Sequence, residues 1–397
     1  MRSLLFLAWR NLMHHRLRSL VLVLVLTIVT SIPVLANLVV SKAENDLTAR
    51  ARTTPLVYGA QGSQIELVLS AAYFNGASTA PVPMAEYQAM IDLEHYDLVP
   101  LRMSTSVRGH PLVGIDHEYF RVRDMELANG NFPLRLGEIV LGSEVAARLN
   151  AGPGDEVSTD VTQAFDLAGA YPVILTVTGV LVATGTPDDR VVFTDLSTAW
   201  VAEGIGHGHQ ELDPEKDRKL LLNSQQGNVV ANASVLTYTT VSNENRNSFH
   251  YHGATNDLPL SSILVFPRTA KSAALLKGRV SDQSEARQVI QVDAVVEQLL
   301  TRVFQVKSVL QNVVATMGLA ALAALTLVVT LSVRMRQREF EIANQIGAQR
   351  QLAVWLVVVE LTVVLLVALV LTALISGGVF LSAPQALLGW VIGGNGT

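Results

Sequence analysis

Two histidine pairs are the first candidates for chemistry in this 397-residue sequence: His207-Gly208-His209 and His250-Tyr251-His252. On a β-strand, residues i and i+2 face the same side, so each pair would present two imidazoles to one ion. Neutral imidazole suits zinc, copper or nickel. The pairs therefore predict a metal site, zinc first, at His207, His209, His250 and His252. The alternative is that they are solvated histidines, because the polar segment 204–257 predicts a long surface loop.

Other catalytic patterns are missing from the sequence. It has no cysteine, which excludes disulfides, thiol catalysis and cysteine-ligated metal clusters. It has no H-E-x-x-H or G-x-S-x-G pattern, and none of its six lysines follows a glycine, so the phosphate-binding G-K-[ST] motif is absent. We expect no enzyme activity and no bound nucleotide in this chain. The net charge of −5 also argues against a nucleic-acid partner.

Three long apolar segments place the chain in a membrane. Only 16% of the residues are charged and the mean hydropathy is +0.35, whereas about a quarter of the residues are charged in average globular proteins. The segments are 19–41, 307–333 and 353–380, and only Glu360 interrupts the last of them. A helix of about 20 residues crosses a bilayer core of about 30 Å. The sequence predicts three transmembrane helices, with Glu360 turned toward protein rather than lipid.

Both ends of the chain leave an alternative open. Val34-Leu35-Ala36 fits a signal-peptidase site, although the apolar run continues past it and favours an uncleaved span. At the other end, 381–397 is uncharged and is either a tail or a short fourth helix.

The charged flanks predict the orientation. Residues 1–18 hold four arginines and no acid, and the short loop 334–352 holds four more arginines. Both should be cytoplasmic, because positively charged short flanks stay inside. The large domain, 42–306, then lies outside. The segment 41–307 carries 31 of the 34 acidic residues but only 21 of the 29 basic ones.

The outer domain reads as mixed α/β. Strands are predicted at 172–182, 190–194 and 261–267, and a short helix at 143–149 with Ser143 as its N-cap. Apolar residues recur at helical spacing from Ser284 onward, with no Pro or Gly before the second span. We therefore expect 284–333 to form one long helix, a stalk that enters the membrane. The alternative is a separate amphipathic helix joined to the span by a kink.

Two stretches carry a family likeness. Residues 137–157 (GEIVLGSEVAARLNAGPGDEV) resemble the "E-x-V-L-G-x-x-x-A-x-x-L…G-D-x-V" stretch in the periplasmic domain of MacB/FtsX-type ABC transporter permeases. Residues 338–352 (REFEIANQIGAQRQL) are similar to that family's cytoplasmic loop between the second and third spans. The order of span, large outer domain and further spans matches too, although the family usually has four full spans.

The resemblance implies a membrane α-helical bundle with a large α/β periplasmic domain on helical stalks, in the bacterial inner membrane. It implies a permease subunit that couples ATP hydrolysis by a separate cytoplasmic ATPase to export, extraction or mechanotransmission. It further implies a homodimer and a periplasmic partner protein. The coupling residues would be Arg338, Glu339, Glu341, Ile346, Gly347, Ala348 and Arg350. The rival hypothesis is a membrane-anchored sensor or scaffold without transport activity.

Overall fold

The computed structural model describes residues 2–14, 16–76, 80–91, 93, 95–160, 172–209, 221–225, 228–231, 238–242, 244–251, 253–283, 285–301 and 351–382, with isolated positions between 312 and 345. The chain divides into two compact units. One comprises Met1–Asp46 with Gln298–Thr397, and the other is Leu47–Glu297, called the large unit here.

Nine helices are bounded within the described residues: α1 Arg2–His14, α2 Arg16–Arg52, α3 Gln64–Tyr73, α4 Met84–Ile91, α5 Glu118–Val122, α6 Ser143–Leu149, α7 Leu196–Glu203, α8 Ala270–Gln283 and α9 Gln351–Ser382. Residues 292–301 are also helical. Of these, two are long and apolar enough to span a membrane, over Ser19–Arg52 and Trp355–Val379. The second predicted span, 307–333, and the 383–397 part of the predicted tail lie outside the described residues, apart from isolated helical positions in the former.

The strands of the large unit are β1 Leu56–Ala60, β2 Val82–Pro83, β3 Tyr96–Val107, β4 His110–Ile115, β5 Leu127–Gly130, β6 Glu138–Leu141, β7 Glu156–Ser158, β8 Ile174–Leu181, β9 Val192–Asp195, β10 Gly206–Gly208, β11 Leu221–Gln225, β12 Asn228–Ala231, β13 Phe249–Tyr251, β14 Pro259–Leu260, β15 Ser262–Pro267 and β16 Arg287–Gln291. Ten of them form one sheet in the order β16-β1-β15-β3-β4-β9-β6-β8-β5, with β7 paired to β8. The pairs β4–β9 and β6–β8 are parallel and the rest antiparallel, which confirms the predicted α/β class.

Two hydrophobic clusters pack around this sheet, and α7 contributes to both. Trp200 belongs to the cluster with Leu260 and Ile263, whereas its neighbour Val201 belongs to the cluster with Ile139 and Leu175. Consecutive residues of α7 are buried, so the helix has almost no solvent face. The buried helix therefore holds in place the start of β10, which begins three residues after α7 ends.

The structure corrects the predicted long helix over 284–333. Residues Arg287–Gln291 are strand β16, which pairs antiparallel with β1 along its full length. Buried Gln288 and Ile290 alternate with partly buried Arg287 and Val289, the two-residue period of a strand. The apolar spacing corresponds to a helix only from residue 292 onward. Residues 287–291 form a strand instead, because β1 pairs with β15 along one edge and its other edge is open to β16.

Two smaller expectations also change. Gly142, not Ser143, caps α6, and Ser143 is the first helical residue. The predicted surface loop 204–257 contains the short ribbon of β10 paired with β13, and a second ribbon of β11 with β12.

Candidate functional site

The predicted metal ligands fall into one cluster. Strands β10 and β13 pair antiparallel with His207 directly opposite His250, and His209 follows two residues after His207 on the same face. The ring centroids of His250 lie 4.9 Å from those of His207 and 5.0 Å from those of His209. One ligand atom of each of the three residues lies within 4.8 Å of the others, and all three side chains are partly buried. His252 lies outside the described residues.

The opposite face of this ribbon anchors it to the domain. A Cβ on Gly206 would lie 2.6 Å from the ring of Tyr251, and one on Gly208 would lie 2.7 Å from the ring of Phe249. The Tyr251 hydroxyl donates a hydrogen bond to the carbonyl of Ser197 in α7, at 3.1 Å. Glycine on one strand thus allows the aromatic rings of the other to pack flat, which leaves the three imidazoles together on the remaining face.

A second polar cluster lies where α2 ends in the large unit. We call Arg50, Tyr119, Arg123 and Asp188 the helix-end cluster. Arg50 donates two hydrogen bonds to the carboxylate of Asp188, Nη1 to Oδ2 at 2.7 Å and Nη2 to Oδ1 at 3.0 Å. It also donates from Nε to the carbonyl of Ala72 at 2.7 Å and from Nη2 to the hydroxyl of Tyr119 at 2.8 Å. Four of the five N–H groups of this buried guanidinium are therefore used.

Further contacts hold the same helix end from the other side. Arg123 donates from Nη1 to the carbonyl and the hydroxyl of Thr53, both at 2.9 Å, and its guanidinium lies 5.7 Å from the ring centre of Tyr119. The Tyr73 hydroxyl donates to the carbonyl of Leu47 at 2.7 Å. The last turns of α2 are thus fixed to the large unit at several points.

The charges of Arg50 and Asp188 in the helix-end cluster stabilise each other. Burial alone would raise the pKa of Asp188, but Arg50 and Arg123 hold it below its ordinary value. Burial alone would lower the pKa of Arg50, but Asp188 and Tyr119 raise it above its ordinary value. Burial raises the pKa of Tyr119, so its phenol stays protonated and also donates to Asp188. The pair is therefore fully ionised at neutral pH.

In the other unit, Met1–Asp46 with Gln298–Thr397, polar groups of α2 and α9 are in contact. The hydroxyls of Thr30 and Thr372 lie 2.7 Å apart. Glu360, which interrupts the third apolar segment, is 4% exposed. The predicted coupling residues Arg338, Glu339, Glu341, Ile346, Gly347, Ala348 and Arg350 lie outside the described residues.

Sequence reasoning missed the helix-end cluster. Its partners are up to 138 positions apart, and nothing in their spacing pairs Arg50 with Asp188. The one local signal was the turn composition of Thr186-Pro187-Asp188-Asp189, which folds as a 3₁₀ turn with Thr186 as its N-cap.

Comparison with known proteins adds the family. The family model of the MacB-like periplasmic core domain matches residues 19–235, more than half of the chain. No curated protein sequence matches the chain. Among solved structures, the periplasmic region of MacB from Actinobacillus actinomycetemcomitans is 11% identical with a TM-score of 0.35, over 62% of this chain and 92% of that chain. The extracellular domain of the ABC-type transporter YknZ from Gram-positive bacteria is 14% identical with a TM-score of 0.31, over 59% and 99%. On the family-model match, the chain belongs to the MacB/FtsX-like family of ABC transporter permeases and carries a MacB-like periplasmic core domain.

Proposed function

We propose that this chain is the permease subunit of an inner-membrane ABC system and that it transmits the ATP-driven motion of a separate cytoplasmic ATPase to its periplasmic domain. Two copies of the chain would assemble with the ATPase subunits, and the periplasmic domain would act on a partner protein or cargo. The complex would serve export, extraction or mechanotransmission.

The ion pair of Arg50 with Asp188 is the observation that carries this proposal. Helix α2 is a single element from Arg16 to Arg52 and includes a candidate membrane span. Its last turns belong to the periplasmic domain, where the side chains of Arg50 and Asp188 are each 3% exposed. A helix end held by a buried, doubly hydrogen-bonded ion pair cannot shift without moving the turn that carries Asp188. Displacement of α2 would therefore displace the domain.

The helical segment that follows β16 begins close to the segment that follows α2. Strands β1 and β16 pair with Leu56 opposite Gln291, and the amide of Val292 donates to the carbonyl of Pro55 at 3.3 Å. The segment that leaves α2 and the helical segment that begins at residue 292 are thus neighbours. Both connections of the domain would move together, as a transmission device requires.

The loop 334–352 would receive the motion of the ATPase. Short amphipathic helices can seat in a groove on a partner protein. In our proposal Glu339, Gly347 and Arg350 contact the ATPase, and Glu360 supports the loop from within the bundle.

A distance measurement between two copies of the chain tests the proposal. The chain has no cysteine, so Leu134→Cys, at a residue 77% exposed in the periplasmic domain, gives one spin label per chain. The chain would be co-purified with a candidate ABC ATPase from the same organism and placed in lipid nanodiscs. We expect one inter-chain distance that changes when ATP is added. An ATPase variant unable to bind ATP is the control.

Variants of the loop and of the helix end separate the steps. Glu339→Ala should weaken co-purification of the ATPase. Arg50→Lys should leave co-purification intact but reduce the ATP-dependent change in distance, and Arg52→Lys on the exposed side of the same helix should behave as wild type. Failure to recover any ATPase, with an unchanged distance, would contradict the proposal and favour the sensor or scaffold.

A further inference from the structure

We propose that His207, His209 and His250 bind one divalent transition-metal ion of the zinc, nickel or copper class. This site is independent of the coupling function proposed above. It lies within the periplasmic domain, on the ribbon of β10 and β13.

The spacing of the three imidazoles is close to that of a ligated ion. Their candidate ligand atoms lie within 4.8 Å of one another. With metal–nitrogen bonds of about 2.0–2.1 Å, tetrahedral geometry separates ligand nitrogens by about 3.3 Å. Small rotations about the side-chain torsions close that difference, because the backbone register already places His207 opposite His250 and His209 beside them.

The hydrogen bonding of His250 prepares it as a ligand. Its Nδ1 lies 3.1 Å from the carbonyl oxygen of Ser248. A carbonyl oxygen only accepts, so Nδ1 donates this hydrogen bond, and in the neutral ring Nε2 is then the nitrogen whose lone pair can ligate a metal. Metal-binding histidines commonly donate their second ring nitrogen to a backbone carbonyl in this way, which fixes the tautomer and the ring orientation.

The donor set selects the class of ion. Three neutral imidazoles suit zinc, copper and nickel, whereas calcium and magnesium require oxygen ligands. Three protein ligands leave a fourth position in a tetrahedral shell for water or for a further group.

The position of the site indicates what the ion would do. Strands β10 and β13 pair although residues 209–248 separate them in the sequence, and β10 follows shortly after the buried helix α7. A metal bridging β10 and β13 would tie both ends of this segment to the core. Because the folded ribbon binds the ion and the open one does not, the metal would stabilise the ribbon.

Titration of the full-length chain with ZnCl₂ tests the proposal. The chain would be purified in detergent without a polyhistidine tag and followed by isothermal calorimetry, with the absorption spectrum of the Co²⁺ complex as a second readout. We expect one ion per chain. Loss of a group that hydrogen-bonds a metal ligand typically weakens metal affinity about 10–100-fold. Loss of a ligand itself should cost more, so His207→Ala, His209→Ala and His250→Ala should each weaken the affinity by more than about 100-fold.

His95→Ala, at an exposed histidine of the same domain, is the matched control and should bind as wild type. His14→Ala tests for metal bound near the N-terminus. Circular dichroism of each variant separates a lost ligand from a lost fold. Absence of stoichiometric binding by the wild-type chain would overturn the proposal, as would binding that survives unchanged in His207→Ala and His250→Ala. Either result leaves the permease proposal standing, because no ATPase is present in the titration.

Discussion

Arg50 and Asp188 form a two-pronged ion pair inside the periplasmic domain, with nitrogen–oxygen distances of 2.7 and 3.0 Å across 138 positions of sequence. Arg50 lies in the last turn of the helix that contains a candidate membrane span, and Asp188 lies in a 3₁₀ turn. Both side chains are almost fully removed from water. The pair therefore fixes the last turn of α2 to the turn that carries Asp188, and losing either partner would leave the other charge buried and unpaired.

Removing the charge at residue 50 should strongly destabilise the periplasmic domain. Arg50→Ala leaves the Asp188 carboxylate buried and without its partner, and losing one partner of a buried pair costs about 3–5 kcal/mol. Denaturant unfolding of the detergent-solubilised chain, followed by tryptophan fluorescence in a Trp9→Phe, Trp355→Phe, Trp390→Phe background that leaves Trp200 as the one reporter, measures the loss. Arg52→Ala, two residues later on the exposed side, should change stability by less than about 0.5 kcal/mol. Equal effects of the two variants would refute the anchoring role of Arg50.

Gly142 holds the turn that carries Asp188. A Cβ at this position would lie 2.4 Å from the carbonyl oxygen of Asp188 and 2.5 Å from that of Asp189, both backbone atoms. Gly142→Ala should therefore push the turn away and cost about 1–3 kcal/mol. Gly152→Ala, in the same motif but with nothing within 4 Å, should cost far less.

A double-mutant cycle tests whether Gly142 acts through the ion pair. If it does, the losses from Gly142→Ala and Arg50→Ala should not add, because the second change finds the pair already disturbed. Additive losses would show that Gly142 matters only for local packing.

Two of the three predicted membrane segments match helices long and apolar enough to span a membrane, and these segments and the motif around Gly142 could be predicted from sequence because their signals are local. A long run without charge can be recognised within one helix, and the glycine lies in a contiguous stretch whose likeness to a family was visible. The structure adds the reason for that glycine, which is the close approach of a turn more than 40 residues away.

The clusters were harder to predict because they depend on contacts between segments that are distant in the sequence. His207 and His209 were visible as a pair, but the opposition of His207 to His250 follows from the β10–β13 register, which no local pattern encodes. For the same reason residues 287–291 are predicted as helix from sequence alone. Their apolar residues fit the spacing of a helix as well as that of a strand, and only pairing with the free edge of β1 decides between the two. Tertiary context overrides local spacing at such positions.

The stability of the periplasmic domain should depend on pH through Asp116. Burial raises the pKa of Asp116 to about 6, and the neighbouring Glu118 carboxylate adds to the rise, although a hydrogen bond from the Tyr87 hydroxyl opposes it. Between about pH 4 and pH 6 the folded state keeps a proton that the unfolded state has released, so stability falls as pH rises. A shift of about 2 pKa units corresponds to about 3 kcal/mol at most.

Asp116→Asn isolates this effect. The asparagine oxygen can still accept from Tyr87, but the side chain cannot ionise. The free energy of unfolding of the wild type minus that of the variant should fall between pH 4 and 6 and stay level from pH 7 to 8. A difference that is constant over the whole range would show that Asp116 titrates at its ordinary pKa.

The contact of Thr30 with Thr372 should stabilise the packing of α2 against α9. The two hydroxyls lie 2.7 Å apart, and Thr372 is 4% exposed. Hydrogen bonds between membrane helices contribute about 0.6 kcal/mol on average and up to about 1.7 kcal/mol, so Thr372→Val should cost an amount in this range. Thr362→Val on the same helix is the matched control, because its exposed hydroxyl bonds the carbonyl of Val358 one turn earlier. Unfolding in mixed micelles with increasing SDS measures both variants. We expect a lower midpoint for Thr372→Val alone, since only that change removes a hydroxyl shared by two helices; equal midpoints would assign the packing to apolar contacts.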